Sequence, residues 1–171
     1  RAGVDSLKIE GRGKGTYYVA TVVNAYRQVL DGAPAATLLP EMDAVSHRPY
    51  STGFYYGRGR QSYVEGYTSS CTMVATVVGC APLPGQDGRF ETVIRLRNRM
   101  CADEHLEVVS PRRPLRSLVV RALAHETRGE VTVGNRTMEL YRIITDFPLE
   151  ADDIIRRRDD SGSAHDGASS Y

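Results

Sequence analysis

The chain has 171 residues and nearly balanced charge, with 22 Lys and Arg against 21 Asp and Glu. This balance excludes the strong overall field of a dedicated nucleic-acid-binding protein, although local basic patches remain open. No run approaches the roughly 18 consecutive apolar residues of a membrane helix, and the N-terminus lacks a signal-peptide pattern. We therefore expect a cytoplasmic protein without a membrane partner. Its 3 cysteines show no CxxC spacing, so reduced thiols are expected rather than a disulfide framework or a zinc site.

The first 45 residues are predicted to form a strand, a glycine-rich loop and two helices. Val4, Leu7 and Ile9 form a short apolar run that leads into the loop EGRGKG at 10–15. Apolar residues at helical spacing predict a helix over 17–31 with Thr16 as its N-cap, and a second short helix over 40–45. A single strand-helix unit cannot cover its own apolar faces, and the chain opens on Arg1, so we expect a preceding portion to supply its partners.

The rest of the chain reads as all-β. Residues 46–60 are rich in Gly, Tyr and turn formers and are interpreted as an ordered connector. Short β-type runs then follow one another without room for crossover helices, which favours an antiparallel sheet closed into a barrel of six or seven strands over 61–150. The runs are 62–68, 73–78, 90–97, 105–109, 115–122, 130–133 and 139–145. Residues 151–171 are predicted to be a polar, largely disordered tail.

The glycine-rich loop carries the first candidate site. Glu10, Arg12 and Lys14 follow the predicted strand, at the end where parallel α/β barrels place their working groups. The glycines allow close approach of a ligand, and the helix that follows directs its N–H groups and dipole to the same point, which suits an anion. The alternative is a plain tight turn in which Glu10 and Arg12 pair with each other. The loop matches no Walker or dinucleotide fingerprint.

Two further groups of residues are candidates for binding. His47 and Arg48 with Tyr50 place a titratable ring beside a fixed cation, which suits proton transfer or an anionic substrate, although a simple contact from His47 to the backbone is an equal alternative. Three arginines alternate along a predicted strand and are candidates to follow a phosphate backbone, or else form a solvated face. They are Arg95, Arg97 and Arg99.

Several chemistries are not indicated by the sequence. His105, His125 and His165 have no partners at metal-ligand spacing, so no metal site is predicted. No Ser, Thr or Cys lies in a recognised nucleophile context, which counts against hydrolysis. The arginines at 156–158 precede two aspartates, so we interpret them as a solubilising end.

Longer motifs resemble one known family. The segments VDSLKIEGRGKGTYYVATVVNAYRQVLD and VSHRPYSTGFYYG, with the later VIRLRNRM, HLEVVSP and LYRIITDFPLEADDIIRRR, resemble the peptidase U-32 family of collagenase-like proteases. The resemblance covers nearly the whole chain before the tail. It implies that residues 1 to about 44 are the last βα unit of a TIM-like barrel and that the β-barrel is similar to those of translation factors.

The same resemblance implies a function. Some members of the family are implicated in RNA hydroxylation, including formation of 5-hydroxyuridine at the tRNA wobble position, and HRPYSTGF looks closest to that branch. The resemblance also implies an iron–sulfur cluster, held by cysteines in the portion before Arg1. None of the three cysteines in this chain matches those cluster ligands. The chain departs from the family pattern at two places. One is Gly13-Lys14-Gly15 in the loop. The other is Cys101 to His105, which stands where the family usually has a Gly-Asp turn, so a residue other than glycine must adopt the positive φ of that turn.

Three functions follow as hypotheses. The leading one is an RNA-modifying enzyme in which Glu10 and Arg12 line the barrel mouth and the β-barrel helps to hold tRNA or another structured RNA, with this stretch inactive alone. The second is a peptidase acting on collagen-like or other proteins. The third is a β-barrel that serves only for protein docking or dimerisation. All three stay open, because a fold by itself does not determine a function.

Overall fold

The computed structural model describes residues 3–57 and 66–159. Helix α1, Thr16–Leu30, confirms the predicted first helix to within a residue at each end, and it buries Thr21, Val22 and Ala25. Thr16 was wrong as the N-cap, because Gly15 occupies that position in extended backbone and no side chain caps the helix. The first amide groups of α1 are therefore left for other acceptors.

Helix α2, Ala35–Asp43, begins five residues before the predicted start at 40 and has Pro40 inside it. The sequence argument placed Pro40 in the first turn, where proline is best tolerated. The actual first turn follows Pro34, whose carbonyl accepts bonds from the backbone N–H (3.1 Å) and the hydroxyl (2.7 Å) of Thr37. Pro40 lies in the second turn of α2, where it removes one amide donor and its ring crowds the preceding turn.

The predicted opening strand is not present. Residues 3–10 have no regular secondary structure, and Val4 and Leu7 are 66% and 53% exposed. A strand requires a neighbour to accept and donate its ladder hydrogen bonds, and the described part of the chain offers this segment none.

Ten strands follow within residues 66–159, eight of them in one antiparallel sheet ordered β5-β4-β10-β1-β2-β9-β6-β7, while β3 and β8 pair separately. Their bounds are β1 Cys71–Pro82, β2 Phe90–Leu96, β3 Met100–Cys101, β4 His105–Val109, β5 Arg116–Val119, β6 Leu123–His125, β7 Gly129–Glu130, β8 Val133–Gly134, β9 Leu140–Thr145 and β10 Ile154–Arg158. Most predicted runs are thus confirmed as strands, with 130–133 split between β7 and β8. The run 62–68 lies largely outside the described residues, and its end makes only an isolated bridge between Thr68 and His47.

The sheet is curled rather than closed into the predicted six- or seven-stranded barrel, since its strand order has two edges, β5 and β7. The 12-residue strand β1 changes register twice, between Met73 and Ala75 and between Val77 and Gly79. Such irregularities bend a strand and increase its twist, which lets one sheet wrap around one core. That core includes Val74, Ile94, Leu96, Met100, Leu106, Tyr141, Ile143 and Ile155.

The predicted tail from 151 was wrong in its first part. Ile154–Arg158 forms β10, which lies between β1 and β4 near the middle of the sheet, and Arg156 is fully buried. The sequence argument balanced the arginines against the neighbouring aspartates, whereas the fold places glutamates of distant elements beside them. Residues 160–171 lie outside the described part of the chain.

The turn before β4 meets its conformational requirement with an aspartate. Asp103 has φ +60°, and its N–H donates to the carbonyl of Val120 at 2.7 Å. Aspartate tolerates the left-handed region better than most residues, so a glycine is not required here.

Candidate functional site

The glycine-rich loop forms a compact turn immediately before α1. The N–H of Lys14 donates to the carbonyl of Gly11 at 2.9 Å, and a carboxylate oxygen of Glu10 accepts the N–H of Arg12 at 3.0 Å. Glu10 therefore caps the loop backbone, and the described residues show no ion pair between Glu10 and Arg12. The tight turn of the alternative is therefore present, and a pairing of the Glu10 and Arg12 side chains across a barrel mouth stays a prediction.

The three glycines of the loop differ in how much space surrounds them. A Cβ at Gly11 would lie 3.1 Å from a methyl carbon of Val19, so a side chain there would have to displace Val19 slightly. Gly13 and Gly15 face open space and have no positive φ. At these two positions the missing side chains leave the backbone accessible to a ligand.

A cavity of about 550 Å³ opens beside the loop. Its lining combines the loop with the start of α1 and with two residues from the following segment, Ser46 and Tyr67. The ammonium of Lys14 donates to the carbonyl of Ser46 at 2.8 Å and lies 4.2 Å from the ring centroid of Tyr67. These contacts hold a cation at the wall of the cavity, next to the uncapped N-terminus of α1.

The connector brings the second candidate group to the edge of this cavity. The guanidinium of Arg48 lies 5.3 Å from the ring centroid of Tyr67, so Arg48 and Lys14 flank the same ring. The backbone of His47 exchanges both its hydrogen bonds with Thr68, at 3.0 and 2.9 Å. This bridge fixes the connector against the residues that lead into β1.

His47 and Tyr50 form an ordered stack. Their ring centroids are 4.3 Å apart, with an angle of 7° between the planes. Nδ1 of His47 lies 2.8 Å from the carbonyl of Val45 and so carries the proton, while the hydroxyl of Tyr50 donates to the carbonyl of Met42 at 2.6 Å. Nε2 of His47 lies 3.6 Å from Asp43, so the ring contacts both the backbone and a carboxylate.

The three predicted RNA-binding arginines do not line the cavity. Strand β2 ends at Leu96, so the alternation that would place Arg95, Arg97 and Arg99 on one face does not continue past the first of them. All three are exposed, and the Arg97 guanidinium contacts the sulfur of Met138 at 3.0 Å. Their RNA-binding role stays a prediction.

A buried charge cluster, defined by Arg156, Glu41, Glu107 and Tyr17, was missed by the sequence analysis. Arg156 donates two hydrogen bonds to Glu41 (2.8 and 2.6 Å) and one to Glu107 (2.8 Å), and its guanidinium reaches the hydroxyl of Tyr17 at 3.5 Å. The cluster joins α1 and α2 to strands β4 and β10. The available signal was that Arg156 directly follows two isoleucines, because a charge that continues an apolar run needs a partner if the run is buried.

Burial and ion pairing act in opposite directions on the pKa values of Arg156 and Tyr17. Desolvation acts to lower the pKa of Arg156, but its hydrogen bonds to Glu41 and the nearby charges outweigh it, so the net shift is upward. Burial raises the pKa of Tyr17 to about 12, against an opposing effect of the Arg156 charge. Tyr17 also donates to the carbonyl of Ala44 at 3.0 Å and lines the loop cavity, so it connects the cluster to the candidate site.

No group of three His, Cys, Asp or Glu side chains suited to hold a metal ion occurs within 3–57 and 66–159. No helix in these ranges is both long and apolar enough to cross a membrane. His165 lies outside them.

Comparison with known proteins places this geometry in a family. Residues 1–65 match the family model of peptidase family U32, and residues 69–156 match that of the peptidase family U32 C-terminal domain. The chain belongs to peptidase family U32. The boundary between the two U32 models falls within the segment that joins the helices to the sheet.

Curated relatives of this U32 chain carry a functional name. It is 31% identical over 119 residues to tRNA hydroxylation protein P of Escherichia coli, covering 65% of this chain and 25% of the relative. It is 26% identical over 164 residues to tRNA hydroxylation protein P1 of Bacillus subtilis, covering 91% of this chain and 38% of the relative. The U32 chain thus spans well under half the length of these proteins.

One solved structure similar to this chain is the C-terminal domain of a Geobacillus thermoleovorans protein described as a U32 peptidase. It covers 50% of this chain and 99% of its own, with a TM-score of 0.44 and 16% identity.

Proposed function

We propose that this U32 chain is part of an RNA-modifying enzyme that acts on tRNA and hydroxylates the wobble uridine. The observation that carries the proposal is the similarity, over most of the chain, to two proteins named for tRNA hydroxylation. Since those proteins are much longer, the activity is proposed for the whole enzyme, and this stretch is proposed to be inactive alone.

The loop cavity supports a role in binding tRNA. Arg12 and Lys14 lie directly before the uncapped N-terminus of α1, whose amide groups and dipole favour a phosphate. Arg48 adds a second cation beside Tyr67. We propose that Arg12 and Lys14 bind a tRNA phosphate, that His47, Arg48 and Tyr50 border the bound nucleotide, and that Glu10 holds the loop in shape and faces the reacting base.

We also propose that residues 1–45 complete a TIM-like barrel as its last βα unit. The exposed apolar side chains of Val4, Leu7 and Leu39 support this arrangement, because such side chains favour burial against a neighbouring structure. An upstream portion of the same protein would supply the missing strands.

An iron–sulfur cluster is proposed for that upstream portion and not for this one. Such clusters need several thiolates close together. Cys71 and Cys80 lie nine residues apart in β1, and Cys101 lies in the separate β3–β8 pair. Burial also raises the pKa of Cys71, which disfavours its thiolate. These residues do not fit a cluster, and we assign them no part in one.

The peptidase alternative has one arrangement to consider in the described residues. The hydroxyl of Thr127 lies 3.3 Å from Nδ1 of His125, whose Nε2 contacts Glu139 at 2.5 Å. However, Nδ1 already accepts the backbone N–H of Thr127 at 3.2 Å, so its lone pair is engaged by a local turn. A general base needs that lone pair for the nucleophile, which leaves RNA modification as the better-supported function.

Mass spectrometry of tRNA nucleosides tests the proposal. A strain that lacks the intact gene should lose 5-hydroxyuridine-type nucleosides, and the gene should restore them. Restoration with Lys14→Gln should be reduced, whereas Arg128→Gln, which removes an exposed charge from the β6–β7 turn, should restore fully. Unchanged nucleosides in the deletion strain would refute the proposed reaction.

A further inference from the structure

We infer that the connector carries a stacking surface for unpaired RNA bases, formed by Tyr50, Phe54, Tyr55 and Tyr56 and called here the aromatic platform. The inference rests on the proposed function and extends it, because it names the form of RNA that this region recognises: a single-stranded segment with bases free to stack.

Exposure of the aromatic platform is the first observation. Phe54, Tyr55 and Tyr56 are 84%, 92% and 90% exposed, and they follow one another in the chain. Adjacent aromatic rings held in water favour a partner that covers their faces. Every nucleobase has such a face, and stacking on aromatic side chains is how proteins hold single-stranded nucleic acid without reading its sequence.

The turns around these residues keep the rings at the surface. The N–H of Tyr55 donates to the carbonyl of Thr52, and that of Gly57 donates to the carbonyl of Phe54, both at 3.3 Å. Gly53 and Gly57 have φ of +57° and +108°, which most residues adopt only with strain. Two successive turns therefore span the three exposed rings.

Tyr50 provides an anchored ring in the same connector. One of its faces is stacked on His47, and hydrogen bonds to the carbonyls of Met42 and Val45 fix the two rings. Tyr50 nevertheless remains 58% exposed. A base placed on its outer face would extend an existing stack, and little side-chain freedom would be lost on binding.

Charge decides between RNA and a protein as the occupant. Lys14 and Arg48 flank the exposed ring of Tyr67, and Arg12 lies on the same loop as Lys14. Among the described residues that line the loop cavity, Glu10 carries the one carboxylate, against the cations of Arg12 and Lys14. Aromatic rings on the connector that carries Arg48 match alternating bases and phosphates better than they match an apolar protein surface.

Fluorescence anisotropy with the 171-residue chain tests the inference. The probes are a labelled 12-nucleotide oligouridine and a blunt RNA duplex of the same length, at two salt concentrations. Phe54→Ala, Tyr55→Ala and Tyr56→Ala should each weaken oligouridine binding about tenfold, while duplex binding stays within about twofold. Because these side chains are almost fully exposed, the variants should keep the circular dichroism spectrum and the unfolding midpoint of the unaltered chain.

Two controls separate stacking from other losses. Tyr55→Phe keeps the ring and should bind oligouridine as the unaltered chain does. Val78→Ala removes a 41%-exposed apolar side chain from β1, in the sheet, and should also leave binding unchanged.

Two outcomes would overturn the inference. One is oligouridine affinity that is absent, or that is equal in the alanine variants and the unaltered chain. The other is unchanged RNA affinity together with weaker association between this chain and a separately expressed upstream portion, which would make the platform a protein-docking surface. Either result leaves the nucleoside measurement to decide the proposed function on its own.

Discussion

Replacing Arg156 with methionine should be among the most destabilising single changes in this protein. Arg156 is fully buried and makes three charged hydrogen bonds, to Glu41 on α2 and to Glu107 on β4. Methionine keeps most of the side-chain volume, so the change tests charge rather than packing. The partly buried Glu41 loses its ion-pair partner, whereas Glu107 keeps Arg158 at 3.0 Å, and breaking a buried ion pair from one side costs about 3–5 kcal/mol.

That loss is large on the scale of the whole fold, since domains are stable by about 5–15 kcal/mol. Urea unfolding followed by circular dichroism measures it, and the protein has no Trp to provide a fluorescence signal. The stability of Arg156→Lys should lie between those of the unaltered protein and Arg156→Met, because lysine keeps the charge but cannot bind Glu41 with two parallel hydrogen bonds. The exposed Arg142 is the matched control: it lies 3.6 Å from Glu91, and Arg142→Met should cost less than about 1 kcal/mol.

A double variant separates the pair from its surroundings. Arg156→Met combined with Glu41→Leu removes both charges of the closest contact, so it should be at least about 1 kcal/mol more stable than the sum of the two single changes predicts. If Arg156→Met costs no more than Arg142→Met, the buried cluster does not hold the helices against the sheet and the reasoning fails.

Three other predictions concern separate parts of the chain. Because the folded-state pKa of Tyr17 is about 12 against an ordinary 10.0, the stability that this group contributes is present below pH 10 and is lost as pH rises towards 12. Tyr17→Phe should therefore reduce the fall in unfolding free energy over that interval by up to about 2 kcal/mol in urea titrations, and an unchanged fall would contradict the burial of Tyr17. Gly134→Ala should lower the free energy of unfolding by about 1–3 kcal/mol, because its Cβ would lie 3.0 Å from the ring of Tyr141. Gly79→Ala is the control: its Cβ would have no atom within 4 Å, so the free energy of unfolding should change by less than about 0.5 kcal/mol. Equal effects of the two changes would argue against the packing at Gly134. Changing Arg95, Arg97 and Arg99 together to Gln should weaken tRNA binding and lower its salt slope by about 2–3, while an unchanged slope would remove these residues from the RNA interface.

The candidate site was predictable where it depended on residues close together in sequence. Glu10, Arg12 and Lys14 lie in one short loop before a helix, so the sequence already indicated a common position for them. The approach of both Arg48 and Lys14 to the ring of Tyr67 was not predictable, because it depends on how the connector folds back on the loop. The exposed rings at 54–56 were visible in the sequence, but their exposure was not.

Local pattern alone determined helix α1, most of the strands and the antiparallel nature of the sheet, because helical and strand periods depend on neighbours within a few residues. Only the tertiary structure decided the fate of the first and last segments. Residues 3–10 remain without a strand because ladder partners must come from elsewhere, and Ile154–Arg158 becomes a central strand because Glu41 and Glu107, from distant parts of the chain, neutralise Arg156. Whether a charge is buried or solvated depends on its partners in space, and sequence neighbours do not reveal them.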